Sequence, residues 1–457
     1  MEIRGKRFLV IGAARSGKAT AEFLIKQGAV VFLNEIKQRD ELKEGLAESL
    51  ENIGVQLILG EHAQVSKIGP DYLIVSPGVP FTIPPLLEAK KRGIPVWSEI
   101  ELAARFSQAP LVAVTGTNGK TTTTTLLGQI FADSGRKVFV GGNIGVPFIN
   151  EVESVSSDDV AVLEVSSFQL ETTEAFRPQV ALILNITPDH LDRHDTYEGY
   201  LQAKKKIFLN QKASDYLILN YDDLETRSLA EEANCKVLFF SRQHILKAGF
   251  CVSEGWVVKK DNTQVTPIVK VEEIGIKGGH NLENALAAAA AGWVMGVGAE
   301  SLADSLRTFP GVAHRLEPVL TYQGVRYIND SKGTNPDASI KALEAYQEPI
   351  ILLAGGKSKG SDFLPLAQKI KEKVKALILI GQAASEIEAA VQKVGYTGYH
   401  HVTDYREAVT LASRLAGEGE IVLLSPACAS FDMFDNFEQR GDVFKALVLQ
   451  LAKGGAK

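Results

Sequence analysis

The chain has 457 residues, too many for one hydrophobic core, so two or three domains are expected. Hydrophobic residues at 45% and charged residues at 23% are ordinary for a globular protein, and a net charge of -6 gives no basic footprint for nucleic acid. Cys235, Cys251 and Cys428 stand far apart in no metal-ligand spacing, which argues for a reducing compartment and against a disulfide framework.

The opening "MEIRGKRFLVIGAARSGKA" is not expected to act as a secretion signal, because its apolar run is short and enters a glycine turn. Short β-branched runs then alternate with helical stretches. "RFLVIG", "AVVFLNE", "YLIVSPG", "LVAVTGT", "VAVLEVS", "VALILNI", "YLILN", "IILLAGG", "ALILIG" and "EIVLLSPA" read as strands. Such alternation implies parallel α/β sheets. Three blocks are expected: 1–98, ending on the small strand "IPVW"; 99–311, carrying "LVAVTGTNGK"; and 312–457, carrying "VRYINDSKGTNP". From Phe250 to Lys277, alternating apolar and polar residues predict added antiparallel strands. "LAAAAAGWVMGVG" from Leu286 reads as a buried helix, since no apolar run approaches membrane-spanning length.

Two glycine turns compete for a nucleotide. "GAARSGKA" follows the first strand. It has the spacing of a dinucleotide turn through Gly12, Ala14 and Gly17, with Asn34 and Glu35 at the end of the next strand, where a ribose- or base-reading side chain belongs. Ala19 stands where a magnesium-binding hydroxyl would be needed. The competing reading is a tight turn with no ligand. "GTNGKT" is the stronger signal. Gly116 and Gly119 let backbone N–H groups wrap phosphates, Lys120 neutralises them, and Thr121 supplies a hydroxyl for Mg²⁺. The second turn is therefore expected to hold the triphosphate, and the first a phosphorylated ligand without a metal.

Glu164, in "LEVSSFQL", sits at a strand end, where it can bind Mg²⁺ across the γ-phosphate or merely cap a helix. In "NITPDHLDRHD", His190 and His194 are four apart. A zinc site is disfavoured for want of a third nitrogen or sulfur ligand, so His190 is expected to serve alone and His194 to be a surface residue. In "YLQAKKKIF", placed at a helix start, Lys205 and Lys206 read as a solvated face. Lys204 shares a side with Tyr200 and Phe208. Asn281 and Asn284 share a helix face and can meet a base edge, although capping alone would explain Asn281. Cys428 reads as a small buried filler.

"GTNGKT", "EVSSFQL", "NITPDHLDRH", "YLQAK", "GGHNLENALAA", "GVAHRLE", "INDSKGTNP" and "SPACASFDMFDNFEQRG" resemble, in order and over the whole chain, the Mur ligases. The ending, and the absence of a D-N-P-R motif, resemble the D-glutamate-adding members. The resemblance implies an α/β protein of three domains: a Rossmann-like N-terminal domain, a P-loop ATPase-like central domain and a mobile Rossmann-like C-terminal domain. It implies an ATP-dependent, cytoplasmic ligase of peptidoglycan precursor synthesis, expected to be a monomer without membrane insertion or nucleic acid. D-glutamate would join UDP-N-acetylmuramoyl-L-alanine through an acyl phosphate. Carried over, Arg15, Ser16, Asn34, Glu35, Ser76, Pro77 and Gly78 would contact the UDP part, and Asn143, Ser166, Gln169 and His190 the muramoyl-alanine end. Gly116, Thr117, Asn118, Gly119, Lys120, Thr121 and Thr122 would hold ATP. Asn281 and Asn284 would meet its adenine, and Arg315 and Asp330 would reach it from the third domain. Thr121 and Glu164 would ligate one of two Mg²⁺ ions, and His190 with a carbamate on Lys204 the other. Lys332, Thr334, Lys359, Ser430, Phe431 and Phe437 would cradle D-glutamate. Asn34 stands where such proteins often carry an aspartate, which leaves the uracil contacts the least supported.

Three rivals remain at this point: a related ligase for another amino acid, such as folylpolyglutamate synthase; a nicotinamide-dependent oxidoreductase built on Gly12 to Gly17; and a nucleotide-gated interaction module. The oxidoreductase leaves "GTNGKT" and the histidine segment without a role.

Overall fold

A computed structural model describes residues 2–189, 191–194, 196–358 and 360–454. The described residues form three sheets, built around the expected apolar runs; Gln56–Leu59, Val138–Gly142, Lys236–Ser241, Glu317–Tyr322, Val325–Asn329 and Tyr399–His401 are strands beyond those expected. The first has strands β1 (Arg7–Ile11), β2 (Val30–Glu35), β3 (Gln56–Leu59), β4 (Tyr72–Val75) and β5 (Val96–Ser98), all parallel, in the order β3-β2-β1-β4-β5. The order reverses between β1 and β4, so a crevice opens at their carboxyl ends, where Gly12 and Ser76 follow.

The second sheet has β6 (Leu111–Thr115), β7 (Val138–Gly142), β8 (Val160–Glu164), β9 (Val180–Ile183), β10 (Tyr216–Asn220), β11 (Lys236–Ser241), β12 (Gly249–Ser253), β13 (Trp256–Lys260) and β14 (Val265–Lys270). Its order is β14-β13-β12-β11-β10-β9-β6-β8-β7, parallel except for the β12-β13-β14 meander, as the alternation after Phe250 predicts. β6, β8 and β9 are buried at every residue, which matches their unbroken apolar runs. The helix Gly279–Val294 buries Ala285 through Ala291 completely.

The third sheet has β15 (Glu317–Tyr322), β16 (Val325–Asn329), β17 (Ile350–Gly355), β18 (Val374–Ile380), β19 (Tyr399–His401) and β20 (Ile421–Leu424). Its order is β15-β16-β20-β17-β18-β19, with only the β15-β16 hairpin antiparallel.

By contacts the chain divides into two compact units. Met1–Ile274 with Leu282–Phe309 form one, and Gly275–Asn281 with Pro310–Lys457 the other. The first two sheets share a unit because one core runs through both. Phe8 and Val10 of β1 join Ile100 and Leu102 of the helix Glu99–Phe106, then Phe148 of the helix Phe148–Glu151 and Ala161 and Leu163 of β8.

Candidate functional site

The first turn opens a cavity of 350 Å³ lined by Arg15, Ser16, Glu35, Ser76, Asn143 and Gln169, with Pro77 and Gly78 on its wall. Gly17 allows the turn to close, since a Cβ there would lie 1.8 Å from the Gly12 carbonyl oxygen. Glu35 accepts the Ala13 N–H at 2.9 Å, which anchors the turn to β2. Arg15 donates to the Gly145 carbonyl at 3.2 Å, so the cavity wall continues from the first sheet to the second. Asn34 is outside this lining. It is buried, donates to the Ile58 and Glu61 carbonyls at 3.0 and 2.7 Å, and accepts from the Ala63 N–H at 3.0 Å. With donor and acceptor both engaged, its side chain tethers the loop after β3 where the sequence suggested uridine contact. Ser166 is also outside the lining. It caps the short helix Ser167–Leu170 in a reciprocal box with Gln169.

Asn143 joins this cavity to the carboxyl end of β8, because its side chain donates to Glu164 Oε1 at 2.9 Å. Glu164 is 2% exposed, and its buried Oε2 has no hydrogen-bond partner among the described residues. The phosphate turn follows β6 and opens the helix Lys120–Asp133. Gly119 has φ +85°, and a Cβ there would lie 2.3 Å from Asn284 Oδ1. Asn284 also accepts from Thr123 Oγ1 at 3.3 Å, so it braces the turn. Asn185 clasps the turn from β9's end, accepting the Asn118 N–H at 2.8 Å and donating to the Asn118 carbonyl at 3.1 Å. Thr117 Oγ1 lies 3.0 Å from Tyr200 Oη. Lys120 donates to the Gly116 and Thr117 carbonyls at 2.8 and 2.9 Å. Thr121 and Thr122 are buried beside it.

Lys204 is 1% exposed and donates to the same Gly116 carbonyl at 2.9 Å. Burial, reinforced by the charge of Lys120, holds its pKa well below the ordinary lysine value, against the pull of Asp189 and Glu164. Burial thus favours the neutral amine over the ammonium at this position. Three sequence expectations around it need correction. Lys204 ends the helix Tyr197–Lys205 instead of starting it. Lys205 is 6% exposed and paired with Glu232, and Lys206 donates to the Glu171 carbonyl at 2.6 Å, so neither forms a solvated face. His194 is 7% exposed, with Nε2 3.0 Å from Ser167 Oγ and its ring stacked on Phe168. A histidine flanked by polar residues looks superficial in sequence; here two aromatic neighbours cover it. His190 and Lys359 lie outside the described residues.

In the second unit, a cavity of 290 Å³ is lined by Lys277, Asn281, Arg315, Arg326 and Tyr346 among others. Asn281 donates to the Lys277 carbonyl at 2.8 Å. Arg315 Nε is buried without a hydrogen-bond partner among the described residues. Asp330 follows β16 and is 5% exposed; it accepts from Ser425 Oγ at 2.7 Å and from the Leu316 N–H at 3.2 Å. Burial pushes its pKa up to about 6 despite Arg315. Lys332 Nζ lies 5.2 Å from the Phe437 ring centroid, and Thr334 is half-buried nearby in the same loop. Ser430 is buried and Phe431 is 65% exposed, so this neighbouring pair points apart.

Three family models match the chain: a Mur ligase MurD-like N-terminal domain over residues 6–98, a Mur ligase middle domain over 114–292, and a Mur ligase glutamate ligase domain over 314–428. A relative from Pelotomaculum thermopropionicum, named UDP-N-acetylmuramoylalanine–D-glutamate ligase, is 54% identical over 98% of this chain and 98% of its own. The chain belongs to the Mur ligase family. A relative of the same name from Alkaliphilus metalliredigens is 46% identical over 99% of this chain and 100% of its own. Among solved structures, the MurF ligase of Thermotoga maritima in complex with ADP shares the fold with a TM-score of 0.60 at 17% identity, covering 99% of this chain and 97% of its own. The UDP-N-acetylmuramate-alanine ligase of Thermotoga maritima does so with 0.59 at 18%, covering 97% and 99%.

Sequence reading passed over several groups that hold this Mur ligase site. Arg440 is 1% exposed and donates to Ser331 Oγ, the Ser331 carbonyl and the Cys428 carbonyl at 2.9, 2.7 and 3.1 Å, which pins the loops after β16 and β20 to the helix Phe437–Gly454. His314 is buried with φ +62°, and its Nδ1 accepts from Asn329 Nδ2 at 3.0 Å. Neither carried a sequence signal, since Arg440 stands in the polar helix start "FEQRGD" and His314 in a loop.

Proposed function

We propose that this chain joins D-glutamate to UDP-N-acetylmuramoyl-L-alanine through an amide, activating the carboxylate with ATP as an acyl phosphate. The observation that carries it is the meeting of Lys120 and the buried Lys204 on one phosphate-turn carbonyl, with the charge of Glu164 acting on Lys204. The names of relatives 54% and 46% identical supply the substrates.

A carboxylate is inert to amines at neutral pH, so its oxygen must first become a leaving group. Arg15, Ser16, Glu35, Ser76, Pro77 and Gly78 would hold the UDP part, with Asn143 and Gln169 toward the muramoyl-alanine end. The turn Gly116–Thr122 would wrap the ATP phosphates, and Lys120 would leave its two carbonyl acceptors to neutralise them. Asn281, Asn284, Arg315 and Asp330 would hold the rest of ATP. The alanyl carboxylate attacks the γ-phosphorus and ADP leaves. The D-glutamate amine then attacks the acyl carbon, and phosphate leaves through a tetrahedral intermediate. Lys332, Thr334, Ser430 and Phe437 would orient that amine, with Lys359 the expected partner of a glutamate carboxylate.

Among the described residues no group of three His, Cys, Asp or Glu could hold a metal. Mg²⁺ prefers hard oxygen ligands. The Thr121 hydroxyl, the partnerless Glu164 Oε2 and a carbamate on Lys204 fit that hard-oxygen preference, with His190 expected beside them. A neutral lysine amine adds to CO₂ and releases one proton, giving an anionic oxygen ligand in place of a cation. Bound Mg²⁺, expected as two ions, would offset the charge gathering on the transferred phosphoryl group.

No helix of the described residues is long and apolar enough to cross a membrane. The reading carries with it a cytoplasmic role in peptidoglycan precursor synthesis and a monomeric chain. The deciding test is phosphate release from ATP. It should require both UDP-N-acetylmuramoyl-L-alanine and D-glutamate; equal release with L-glutamate or with no amine would defeat the reading.

A further inference from the structure

Between the two ligand regions of the first unit runs an unbroken file of stacked side chains. It begins at Phe81, on the loop after β4 whose Ser76, Pro77 and Gly78 line the 350 Å³ cavity. The Arg193 guanidinium lies 4.9 Å from the Phe81 ring centroid and 4.9 Å from that of Phe168, sandwiched between a first-sheet loop and a second-sheet helix. Phe168 stacks on His194 at 5.3 Å, and His194 meets Tyr200 edge-on at 5.4 Å. The Tyr200 ring carries Lys204 Nζ at 4.5 Å, and its hydroxyl lies 3.0 Å from Thr117 Oγ1 in the phosphate turn.

We propose that Arg193 is a positioning residue that couples sugar-nucleotide binding to the phosphate turn, so that filling the first cavity tightens ATP binding. The inference rests on the two-ligand reading above. A guanidinium held between two ring faces is attracted to both, and it fixes their spacing without touching either ligand. A ligand that immobilises the loop Ser76–Phe81 immobilises one face of the sandwich. Arg193 and His194 are consecutive on one helical turn, so the constraint passes to Tyr200 and Thr117 through rigid rings. The second ligand then meets a turn already ordered, and by linkage ATP tightens the UDP substrate by the same factor.

The test titrates the full chain with a non-hydrolysable ATP analogue and Mg²⁺, with and without saturating UDP-N-acetylmuramoyl-L-alanine. In the wild type the UDP substrate should lower the analogue's Kd about fivefold or more, within the range of ordinary site–site coupling. Arg193→Gln and Phe81→Leu should each bring that ratio close to one while the analogue alone binds as before. The double variant should lose no more than either single, because both cut the same link. Phe81→Leu leaves the helix carrying Arg193 unaltered and keeps an apolar side chain, so it separates lost coupling from lost folding. A wild-type ratio of one, or a wild-type ratio retained in either variant, overturns the proposal. Ligation by the wild type is assayed alongside: no product sinks the functional reading, whereas product with coupling intact in the variants sinks this inference alone.

Discussion

At the scale of single residues, burial decides what an ionisable group does. Lys120 and Lys204 converge on the Gly116 carbonyl, yet only Lys204 is wholly enclosed. Burial first, and the repulsion of the neighbouring Lys120 second, lower the pKa of the enclosed one. Lys120→Ala should therefore abolish acyl phosphate formation, with a loss in kcat of at least about 100-fold, the usual scale for removing one preorganised charge from a phosphoryl-transfer site. Positional exchange of oxygen in labelled ATP checks it; near-normal turnover would exclude this turn as the triphosphate site. Lys204→Ala should also lose activity, and small carboxylates in the buffer should restore part of it by taking the carbamate's place. Full activity in the unsupplemented variant would remove the carbamate from the account. "AKKK" showed three lysines in sequence. The spacing singled out Lys204, but Lys205 and Lys206 were misread, because a pairing with Glu232 and a carbonyl on Glu171 come from segments distant in the chain.

At the scale of elements, the turns carry the specificity and the strands only deliver them. The phosphate turn is gripped from two sides: by Asn185 after β9, and by Asn284 on the helix Gly279–Val294, which packs against Gly119. Gly119→Ala must place a methyl 2.3 Å from Asn284 Oδ1 and hold a positive φ. The backbone alone costs about 1 kcal/mol, and the collision adds to it. ATP binding should weaken about tenfold or more by titration, while binding of UDP-N-acetylmuramoyl-L-alanine alone changes little; unchanged ATP affinity would mean the turn relaxes freely. The buried central strands and the glycine turns were legible in the sequence because they are set by local periodicity and by backbone conformations few residues tolerate; edge strands such as Gln56–Leu59, Val138–Gly142 and Tyr399–His401 were not, because their half-exposed residues carry little apolar signal. The clasping side chains were less so. Asn34 shows why. Its position at a strand end suggested ligand contact, but whether an amide faces a cavity or its own loop depends on Ile58, Glu61 and Ala63, which only folding brings near.

At the scale of the whole molecule, the first two sheets share one core, and a buried carboxylate with one unpartnered oxygen sits in the joint. Glu99 opens the helix after β5, is 1% exposed, and accepts the Ile149 N–H at 2.7 Å. Burial raises its pKa to about 7, and its Oε2 has no hydrogen-bond partner among the described residues. The folded state thus holds a proton that the unfolded state releases near pH 4.5. Stability from this group is present below that value and is lost as pH rises through about 7, on the order of 3 kcal/mol in all. Glu99→Gln keeps the acceptor for Ile149 and removes the charge. It should flatten the fall in stability between those pH values and leave the variant more stable than wild type at pH 8, read by urea unfolding. Identical pH profiles would show that Glu99 ionises without penalty.

The sequence by itself determined the α/β class, the buried central strands, the phosphate turn and the family, because each is written in short-range order: period, glycine, Lys-Thr. Tertiary structure alone decided which side chains are spent on the fold and which face the cavities. It buried His194 and Lys204, turned Asn34 inward and set Arg193 between two rings. The physical reason is that desolvation and pairing depend on what surrounds a group in space, and those neighbours lie tens to hundreds of residues away along the chain.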